Sequence, residues 1–400
     1  MSGPLRGVRV LDLTRVLAGP FATMILGDMG AEVVKIENPD GGDDTRAWGP
    51  PFLDGESSYF LSINRNKKSC TLHLKSPEGQ DLLRQLASRA DVLVENFRPG
   101  TLARLGLGYR EAAALNPRLV YCSVSGFGQT GPEAARAGYD LSVQGESGMM
   151  SLTGFPEHPP VKVGLAIADL VAGLYAVQGI LLALYARDRT GQGQHVDIAL
   201  LDGMASLLTF QAGIYFATGR SPQRRGNQHP SIVPYEMFQA RDGYLNIAVG
   251  NNALWTRFCE TIGRPDLGAH PDFATEALRV ENRGALKPLL DALFHQRRVS
   301  EWLLLLGERG IPCGAIKDVA EVCVDPQILA RQMVVEVPHS KLGTVRMMGI
   351  PVKLSVTPGA AKAGPPLLGE HTEAVLVEWL NLPADAIARL RADGIIENVK

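Results

Sequence analysis

One carboxylate stands directly ahead of a long apolar stretch of the chain. Asp169 precedes residues 170–185, which are interrupted only by Gly173, Gln178 and Gly179. Such a carboxylate can cap the helix that the stretch predicts, because aspartate is among the residues preferred at that position. The same place also suits a carboxylate nucleophile, which the positive end of the helix dipole is expected to keep ionised. The residues alone leave both roles open.

Other motifs for chemistry are few. No P-loop, HExxH, GxSxG or metal-spaced His/Asp cluster occurs, and the eight histidines are scattered. Residues 126–131 match the dinucleotide fingerprint GxGxxG, but Pro132 follows where a helix should open. Glu37 ends a predicted strand, where a ribose-binding acid would lie. An NAD-dependent oxidoreductase therefore stays open as an alternative.

The elements that would hold these residues alternate between strands and helices up to about residue 200. This alternation is typical of a parallel sheet covered by helices, and several runs are apolar at nearly every position, as in strands buried on both faces. The predicted strands are residues 8–13, 32–36, 70–74, 92–95, 119–124 and 195–199, and the predicted helices include residues 22–29, 79–87 and 170–187.

The composition changes near residue 216 and predicts a second domain. Residues 219–234 are rich in Gly, Pro and Arg, and two β-rich runs then flank Arg241-Asp242-Gly243, a tight-hairpin signal. We therefore predict an α/β fold, with a large Rossmann-like domain around a parallel sheet and an inserted smaller α+β domain. The predicted bounds are 1–216 for the first part of the large domain, 217–234 for a linker, 235–325 for the small domain, and 326–400 for a return linker and the C-terminal part of the large domain.

Charge and cysteine content narrow the class of ligand. The 40 Lys and Arg against 42 Asp and Glu leave no basic field to attract nucleic acid or an anionic membrane, so a small-molecule ligand is expected. Five cysteines without a CxxC pair indicate a reducing compartment and neither disulfides nor a zinc site. No targeting segment precedes the first predicted strand, and we expect a cytoplasmic protein.

A series of motifs runs through nearly the whole chain, at residues 12–20, 27–37, 64–69, 94–100, 126–132, 137–140, 168–170 and 368–372. Together they resemble the class III CoA-transferases, the family of formyl-CoA transferase. The resemblance implies an enzyme that moves coenzyme A (CoA) from an acyl-CoA to a free carboxylic acid, with Asp169 as the nucleophile. It implies CoA as substrate and product, with no tightly bound cofactor and no metal.

The resemblance also implies a CoA site in the large domain. The phosphates of CoA would need Arg and Lys side chains and backbone N–H groups as hydrogen-bond donors. Without the resemblance, Arg98 and Arg104 would each be interpreted as a solvated surface charge. Two positions depart from formyl-CoA transferase, since Leu17 replaces a glutamine and Asn38 replaces an arginine. The matching positions are Leu17, Ala18, Leu72, Lys75, Asn96, Phe97, Arg98, Arg104, Ala137, Gly138, Tyr139 and Asp140.

A Gly-rich loop of the family matches residues 249–252, which here contain one glycine. Gly250 and Asn251 are therefore candidates for a lid whose N–H groups face a developing oxyanion. An ordinary strand-to-helix turn capped by Asn252 is the alternative.

Three segments, residues 12–24, 42–46 with 48–52, and 231–235, are most similar to the family members that act on dicarboxylates such as succinate and glutarate. The distal carboxylate of such an acid needs a cation, because its desolvation is otherwise costly. Arg46 and Arg225 are the candidates. For Arg46 the alternative is a structural ion pair with Asp43 or Asp44.

The α-methylacyl-CoA racemases share this family and are the closest alternative function. Their basic histidine lies in an Ala-Gly-His-Asp motif, where this chain has Tyr139. A phenol with a pKa near 10 is a poor base at neutral pH, so transfer without racemisation is expected. The resemblance further implies a homodimer of two interlocked chains.

Overall fold

The computed structural model describes residues 3–396, which form two compact units. The first unit contains the described parts of Met1–Met149, Lys162–Gly213 and Pro326–Lys400. The second contains Met150–Val161 and Ile214–Asp325. Residues 150–161 thus belong to the second unit, although the sequence predicts them in the large domain.

Six parallel strands form the sheet of the first unit. Counted along the chain their order is 3-2-1-4-5-6, which reverses between the first and fourth strands. Ligands of such sheets bind at this reversal, outside the carboxyl ends of the strands. The predicted α/β class with a large parallel sheet is confirmed. From edge to edge the strands are Lys67–Thr71, Glu32–Glu37, Arg9–Asp12, Val92–Glu95, Val120–Ser125 and His195–Ala199.

Both faces of this sheet are buried. Val10 and Leu11, which neighbour each other in the first strand, are both fully buried but enter different apolar clusters. Side chains alternate across a strand, so a sheet covered on both faces needs apolar residues at consecutive positions. Each fully buried leucine or valine contributes roughly 1.5–3 kcal/mol, which explains why several strands are apolar at nearly every position.

Two helices cover the face that carries Val10. The first helix, Ala18–Asp28, crosses the long helix, Ile167–Thr190, at close range. A Cβ atom on Gly173 would lie 2.8 Å from the Ala18 carbonyl oxygen, so the crossing requires a glycine there. Asp169 lies one turn before Gly173, so the crossing brings it to the beginning of the first helix.

Helices from both ends of the chain cover the opposite face. Trp379 is almost fully buried there, and the Thr71 N–H donates to Thr372 Oγ1 over 3.0 Å. The residues after 326 therefore complete the core of the first unit. The helices on this face are Pro77–Arg89, Tyr109–Leu115, Thr372–Leu380 and Ala384–Ala392.

The long helix has 24 residues, and by length and composition it could cross a membrane. Leu200–Ser206 and Thr209–Thr218 would pass the same test only as one bent pair. Ala172, Ala176 and Ile180 of the long helix are fully buried against the sheet. This packing is that of a core helix.

The remaining elements outside the second unit's core are short. They comprise two antiparallel hairpins, Phe52–Leu53 with Glu56–Ser57 and Val334–His339 with Gly343–Met348; the helices Ser58–Ile63, Thr101–Arg104, Asp140–Glu146, Met149–Leu152, Leu200–Ser206, Thr209–Thr218 and Pro326–Ala330; and the 3₁₀ turn Asp44–Ala47.

The second unit has its own core beneath an antiparallel sheet of three strands. Trp255, Phe258, Phe294 and Trp302 are nearly fully buried in it. The sheet order is Cys313–Ala315, Tyr244–Ala248 and Tyr235–Gln239, and the helices are Asn252–Thr261, Pro265–Ala269, Glu276–Glu281, Arg283–Phe294, Val299–Glu308 and Val319–Cys323, with a 3₁₀ turn at Pro271–Phe273.

Candidate active site

A cavity of about 330 Å³ opens where the strand order of the large sheet reverses. It follows the carboxyl ends of Arg9–Asp12 and Val92–Glu95, which is where an open α/β sheet is expected to bind its ligand. Its lining residues are Arg15, Val16, Leu17, Ala18, Asp44, Asn96, Phe97, Arg98, Pro99, Val124, Ser125, Gly126, Arg136, Ala137, Gly138, Tyr139, Asp169 and Leu200.

Asp169 enters this cavity from the first turn of the long helix. The helix begins at Ile167 and Ala166 takes the N-cap position, so the expectation that Asp169 directly precedes the helix is wrong. None of the residues 3–396 donates a hydrogen bond to its carboxylate. The group is thus free to react with a ligand in the cavity.

The electrostatic surroundings of Asp169 oppose its ionisation. Burial raises the pKa of its carboxyl group, and the charge of Asp140 raises it further, to about 7. Asp140 is itself held in place, since Oδ1 accepts the Ala168 N–H (2.9 Å) and Oδ2 accepts from Gln144 Nε2 (2.7 Å). The expectation that the helix N-terminus keeps Asp169 ionised is therefore wrong below neutral pH.

Two loops of the cavity are locked together by one side chain. Asn96 Oδ1 accepts the Arg15 N–H (2.8 Å), and Asn96 Nδ2 donates to the Arg15 carbonyl oxygen (2.7 Å). The guanidinium of Arg15 lies 5.2 Å from the centre of the Phe97 ring, a cation–π contact. These contacts fix the loops that follow the first and fourth strands.

The GxGxxG string has a structural explanation in this cavity. A Cβ atom on Gly126 would lie 2.7 Å from the Cα atom of Gly138, and the reverse also holds, so the two backbones meet too closely for any side chain. Gly128 and Gly131 have φ angles of 86° and 92°, which favour glycine. The glycines thus shape two loops of the cavity.

A second cavity, of about 200 Å³, adjoins the first because Arg15 and Phe97 line both. Leu72 and Lys75 line the second cavity together with Asn38. The described surface therefore offers one long cleft with Asp169 in one part and Lys75 in the other.

Comparison with known proteins shows the family to which the chain belongs. The family model described as CoA-transferase family III matches residues 5–372. The chain is a family III CoA-transferase.

Relatives and solved structures match this chain along nearly its full length. The chain is 44% identical to the succinyl-CoA:glutarate CoA-transferase of Mus musculus over 98% of this chain and 90% of that protein. It is 43% identical to the acetyl-CoA:oxalate CoA-transferase of Acetobacter aceti, over 94% of this chain and 96% of the relative. A CAIB/BAIF family protein from Brucella suis has the same fold, with 43% identity, a TM-score of 0.84, and coverage of 95% of this chain and 100% of that one.

The structure gathers most of the residues predicted for the CoA site of this CoA-transferase. Arg104 lines neither cavity, and its Nη2 donates to Thr101 Oγ1 (3.1 Å), while Asp140 contacts the backbone beside Asp169. The first cavity contains Leu17, Ala18, Asn96, Phe97, Arg98, Ala137, Gly138 and Tyr139, and the second contains Leu72, Lys75 and Phe97.

Arg46 is engaged in a structural contact. Its Nε and Nη2 donate to the two carboxylate oxygens of Glu37 (2.8 and 2.7 Å), and its guanidinium lies 3.7 Å from the centre of the Phe60 ring. The partner is thus Glu37 and neither Asp43 nor Asp44. With both oxygens engaged, Glu37 is also a poor candidate for a ribose-binding acid, which weakens the oxidoreductase alternative.

The other substrate candidates lie in the second unit. Arg225 lines a cavity of about 690 Å³ together with Glu236 and Lys287. Asn251 Oδ1 accepts the Leu254 N–H (2.8 Å) and caps the helix Asn252–Thr261, so Asn252 is not the cap. The lid role of Gly250 and Asn251 stays a prediction.

Several residues of the site escape the sequence analysis. Arg136 lines the cavity, donates from Nη1 to Glu146 Oε2 (2.9 Å) and lies over the Phe127 ring; its position directly before Ala137 was the available signal. Tyr59 does not line the cavity, but burial raises the pKa of its phenol to about 12, helped by the negative charges of Asp169 and Asp140, so the phenol stays protonated at neutral pH. Nothing in the local sequence marks Tyr59.

Proposed function

We propose that this CoA-transferase moves CoA from an acyl-CoA, such as succinyl-CoA or another dicarboxyl-CoA, to a free acid such as glutarate through covalent intermediates on Asp169. The observation that carries the proposal is the Asp169 carboxylate, which lines the cavity and accepts no hydrogen bond from residues 3–396. A carboxylate without donors keeps its electron pairs available for attack on a thioester.

The reaction proceeds through two covalent intermediates. Ionised Asp169 attacks the thioester carbonyl carbon, the C–S bond breaks, and CoA thiolate leaves with the electron pair to give an acyl–aspartyl anhydride. The thiolate then attacks the aspartyl carbonyl carbon, and the donor acid leaves as a carboxylate. The resulting aspartyl-CoA thioester reacts with the acceptor carboxylate by the same steps in reverse, so no proton or electron is consumed.

Trapping of the covalent intermediate tests this mechanism. Hydroxylamine or borohydride is added to the wild-type enzyme during turnover with succinyl-CoA, and the modified peptide is identified by mass spectrometry. We expect the adduct on Asp169. An adduct on any other residue would refute the mechanism while leaving the family assignment intact.

The dicarboxylate preference is supported by the names of the relatives, which refer to glutarate in one case and to oxalate in another at similar identity. A screen decides between them, with succinyl-, glutaryl- and acetyl-CoA as donors and succinate, glutarate, adipate, itaconate, oxalate, formate and carnitine as acceptors. We expect a C4 to C6 dicarboxylate to have the highest kcat/KM. A higher value for oxalate, formate or carnitine contradicts this preference alone.

We further propose that two chains form an interlocked homodimer, with the second unit inserted in the first. Support comes from the exposed side of the long helix, where Leu174, Leu182 and Tyr185 are 54%, 61% and 58% exposed. A contiguous apolar surface of this kind usually marks an interface. A mass of 43.1 kDa by light scattering at micromolar concentration would contradict the dimer.

A further inference from the structure

The backbone of Val16 has an unusual conformation at the edge of the cavity. Its φ angle is 68°, in the left-handed region that a β-branched residue rarely adopts. Such a conformation is strained and persists only where its surroundings hold it. Val16 lines the cavity with Asp169, so the strain lies beside the proposed nucleophile.

A buried ion pair holds this turn from both sides. Asp43 Oδ1 accepts the Val16 N–H (3.3 Å), and Asp43 Oδ2 lies 2.8 Å from Lys35 Nζ. Lys35 Nζ also donates to the Thr14 carbonyl oxygen (2.7 Å). Both charged side chains are fully buried. Through its hydrogen bonds to Thr14 and Val16, the pair holds the backbone on either side of Arg15.

The turn sets the direction of the next two N–H groups. Val16 is followed by Leu17, the N-cap of the first helix, and by Ala18, its first residue. Within residues 3–396 neither N–H donates to a protein acceptor, as is usual for the first residues of a helix. Both residues line the cavity, where a thioester oxygen would gain negative charge during transfer.

We propose that Lys35 and Asp43 are positioning residues for the transfer reaction: they hold Val16 in its left-handed conformation and thereby aim the Leu17 and Ala18 N–H groups at the oxyanion that forms on the Asp169 intermediate. This inference rests on the proposed function. Neither Lys35 nor Asp43 lines the cavity, so the pair would orient the Leu17 and Ala18 N–H groups indirectly, before the substrate binds.

The substitution Val16→Gly distinguishes a positioning role of Lys35 and Asp43 from a merely structural one. Glycine adopts a positive φ angle without help from neighbouring residues, so it should make the ion pair unnecessary for positioning. The main variant is Lys35→Met/Asp43→Leu, in which no lone charge is left buried. We expect kcat to fall roughly 10- to 100-fold, since misdirected donors stabilise the oxyanion less, while KM for the acyl-CoA changes less than about threefold. Adding Val16→Gly should restore kcat at least about fivefold.

The matched control is Arg187→Met/Asp91→Leu, which removes an ion pair of 3.0 Å at the amino end of the sheet, away from the cavity. Its kcat should stay within about threefold of wild type, and Val16→Gly should not raise it. If Lys35→Met/Asp43→Leu fails to fold by circular dichroism, Asp43→Asn with and without Val16→Gly gives the same comparison, with a smaller expected loss.

Two steady-state results would overturn the positioning role: a kcat within about twofold of wild type in the variant that lacks the Lys35–Asp43 pair, or a loss that Val16→Gly does not reduce. Failure of the proposed function gives a different result, because no adduct would then form on Asp169 in the wild-type enzyme. An adduct that forms equally fast in wild type and pair variant rejects positioning and leaves the nucleophile in place.

Discussion

Two aspartates line or support the same cavity and have opposite surroundings. Asp43 is bound through Oδ1 by Thr45 and Val16 and through Oδ2 by Lys35, and although burial alone would raise its pKa, Lys35 and Thr45 lower the pKa to about 2. Asp169 has no such donors in the described part of the chain, and burial together with the charge of Asp140 raises its pKa to about 7. A carboxylate that accepts several hydrogen bonds supports the structure of the site, whereas one that accepts none remains available to react.

Because their pKa values shift in opposite directions, the two aspartates affect the stability of the folded protein in different pH ranges. Asp43 releases its proton more readily in the folded protein, so it stabilises the fold above about pH 4 and loses that contribution as the pH falls through about 2. Asp169 holds its proton more tightly when folded, so stability decreases as the pH rises from about 4 through about 7. At neutral pH one carboxylate therefore stabilises the protein and the other destabilises it.

The largest effect is expected from removing the free carboxylate. Asp169→Asn should lower kcat by at least about 10⁴-fold, because an amide cannot form the anhydride. Binding of CoA, measured by calorimetry, should change less than about threefold, since other residues line the cleft. The control is Asp188→Asn, an exposed aspartate on the same helix, which should keep kcat within about twofold. Retained turnover in Asp169→Asn would contradict the mechanism.

Breaking the paired carboxylate should instead weaken the fold. Lys35→Met leaves Asp43 buried without its cation, and we expect the free energy of unfolding to fall by roughly 3–5 kcal/mol in urea denaturation. Lys68, which contacts Glu32 and Glu378 and is 29% exposed, provides the control, since Lys68→Met should cost no more than about 1 kcal/mol. Equal losses in the two variants would show that the buried pair has no special weight.

Asp169→Asn should also stabilise the folded enzyme, by up to about 4 kcal/mol at pH 8, because the buried charge disappears. Near pH 4 the difference from wild type should vanish, since Asp169 is then protonated in the folded protein. Denaturant titrations at both pH values measure this, with Asp188→Asn as the variant in which no change is expected. A stability difference that is independent of pH would speak against titration of Asp169 as its cause.

The smallest effect concerns the acid limb of the pH profile. Formation of the covalent intermediate should increase with pH through about 7, as Asp169 ionises. Asp140→Asn removes the neighbouring negative charge, lowers the pKa of Asp169 and should move the limb about 0.5–1 pH unit lower. Rapid-quench kinetics across pH 5–8 measure the shift, and Asp188→Asn controls for the net charge. A limb that moves upward would contradict the assignment to Asp169.

The strands of the large sheet could be predicted closely, because strands buried on both faces consist mostly of apolar residues. Strand Val92–Glu95 is fully buried and begins and ends at the predicted residues, and His195–Ala199, which is less buried, also has its predicted bounds. The long helix begins three residues before its predicted start, because Ala166 provides no capping side chain and Asp169 resembled one. A helix end without a polar cap lacks one of the strongest sequence signals for its position.

The site could be predicted only where a motif contained it. Asp169, Leu17 and Ala18 lie in such motifs, whereas the conformation of Val16 depends on Asp43, 27 positions later in the chain. The raised pKa of Asp169 was missed for a similar reason, since a helix terminus favours the charge by only about 0.3–1 kcal/mol and burial by distant residues outweighs it.

The contacts between the two ends of the first unit also govern how the chain folds during its synthesis. Arg46 donates to the Pro366 carbonyl oxygen (3.1 Å), and the Gly369 N–H donates to Ser69 Oγ (2.9 Å), so these contacts wait for residues made much later. About 150 residues separate Gly213 from Pro366, and at roughly 5–20 residues per second their synthesis takes roughly 8–30 s. During that interval the sheet face that Trp379 covers in the finished protein lacks this side chain and its neighbours, so part of its apolar surface stays exposed to solvent.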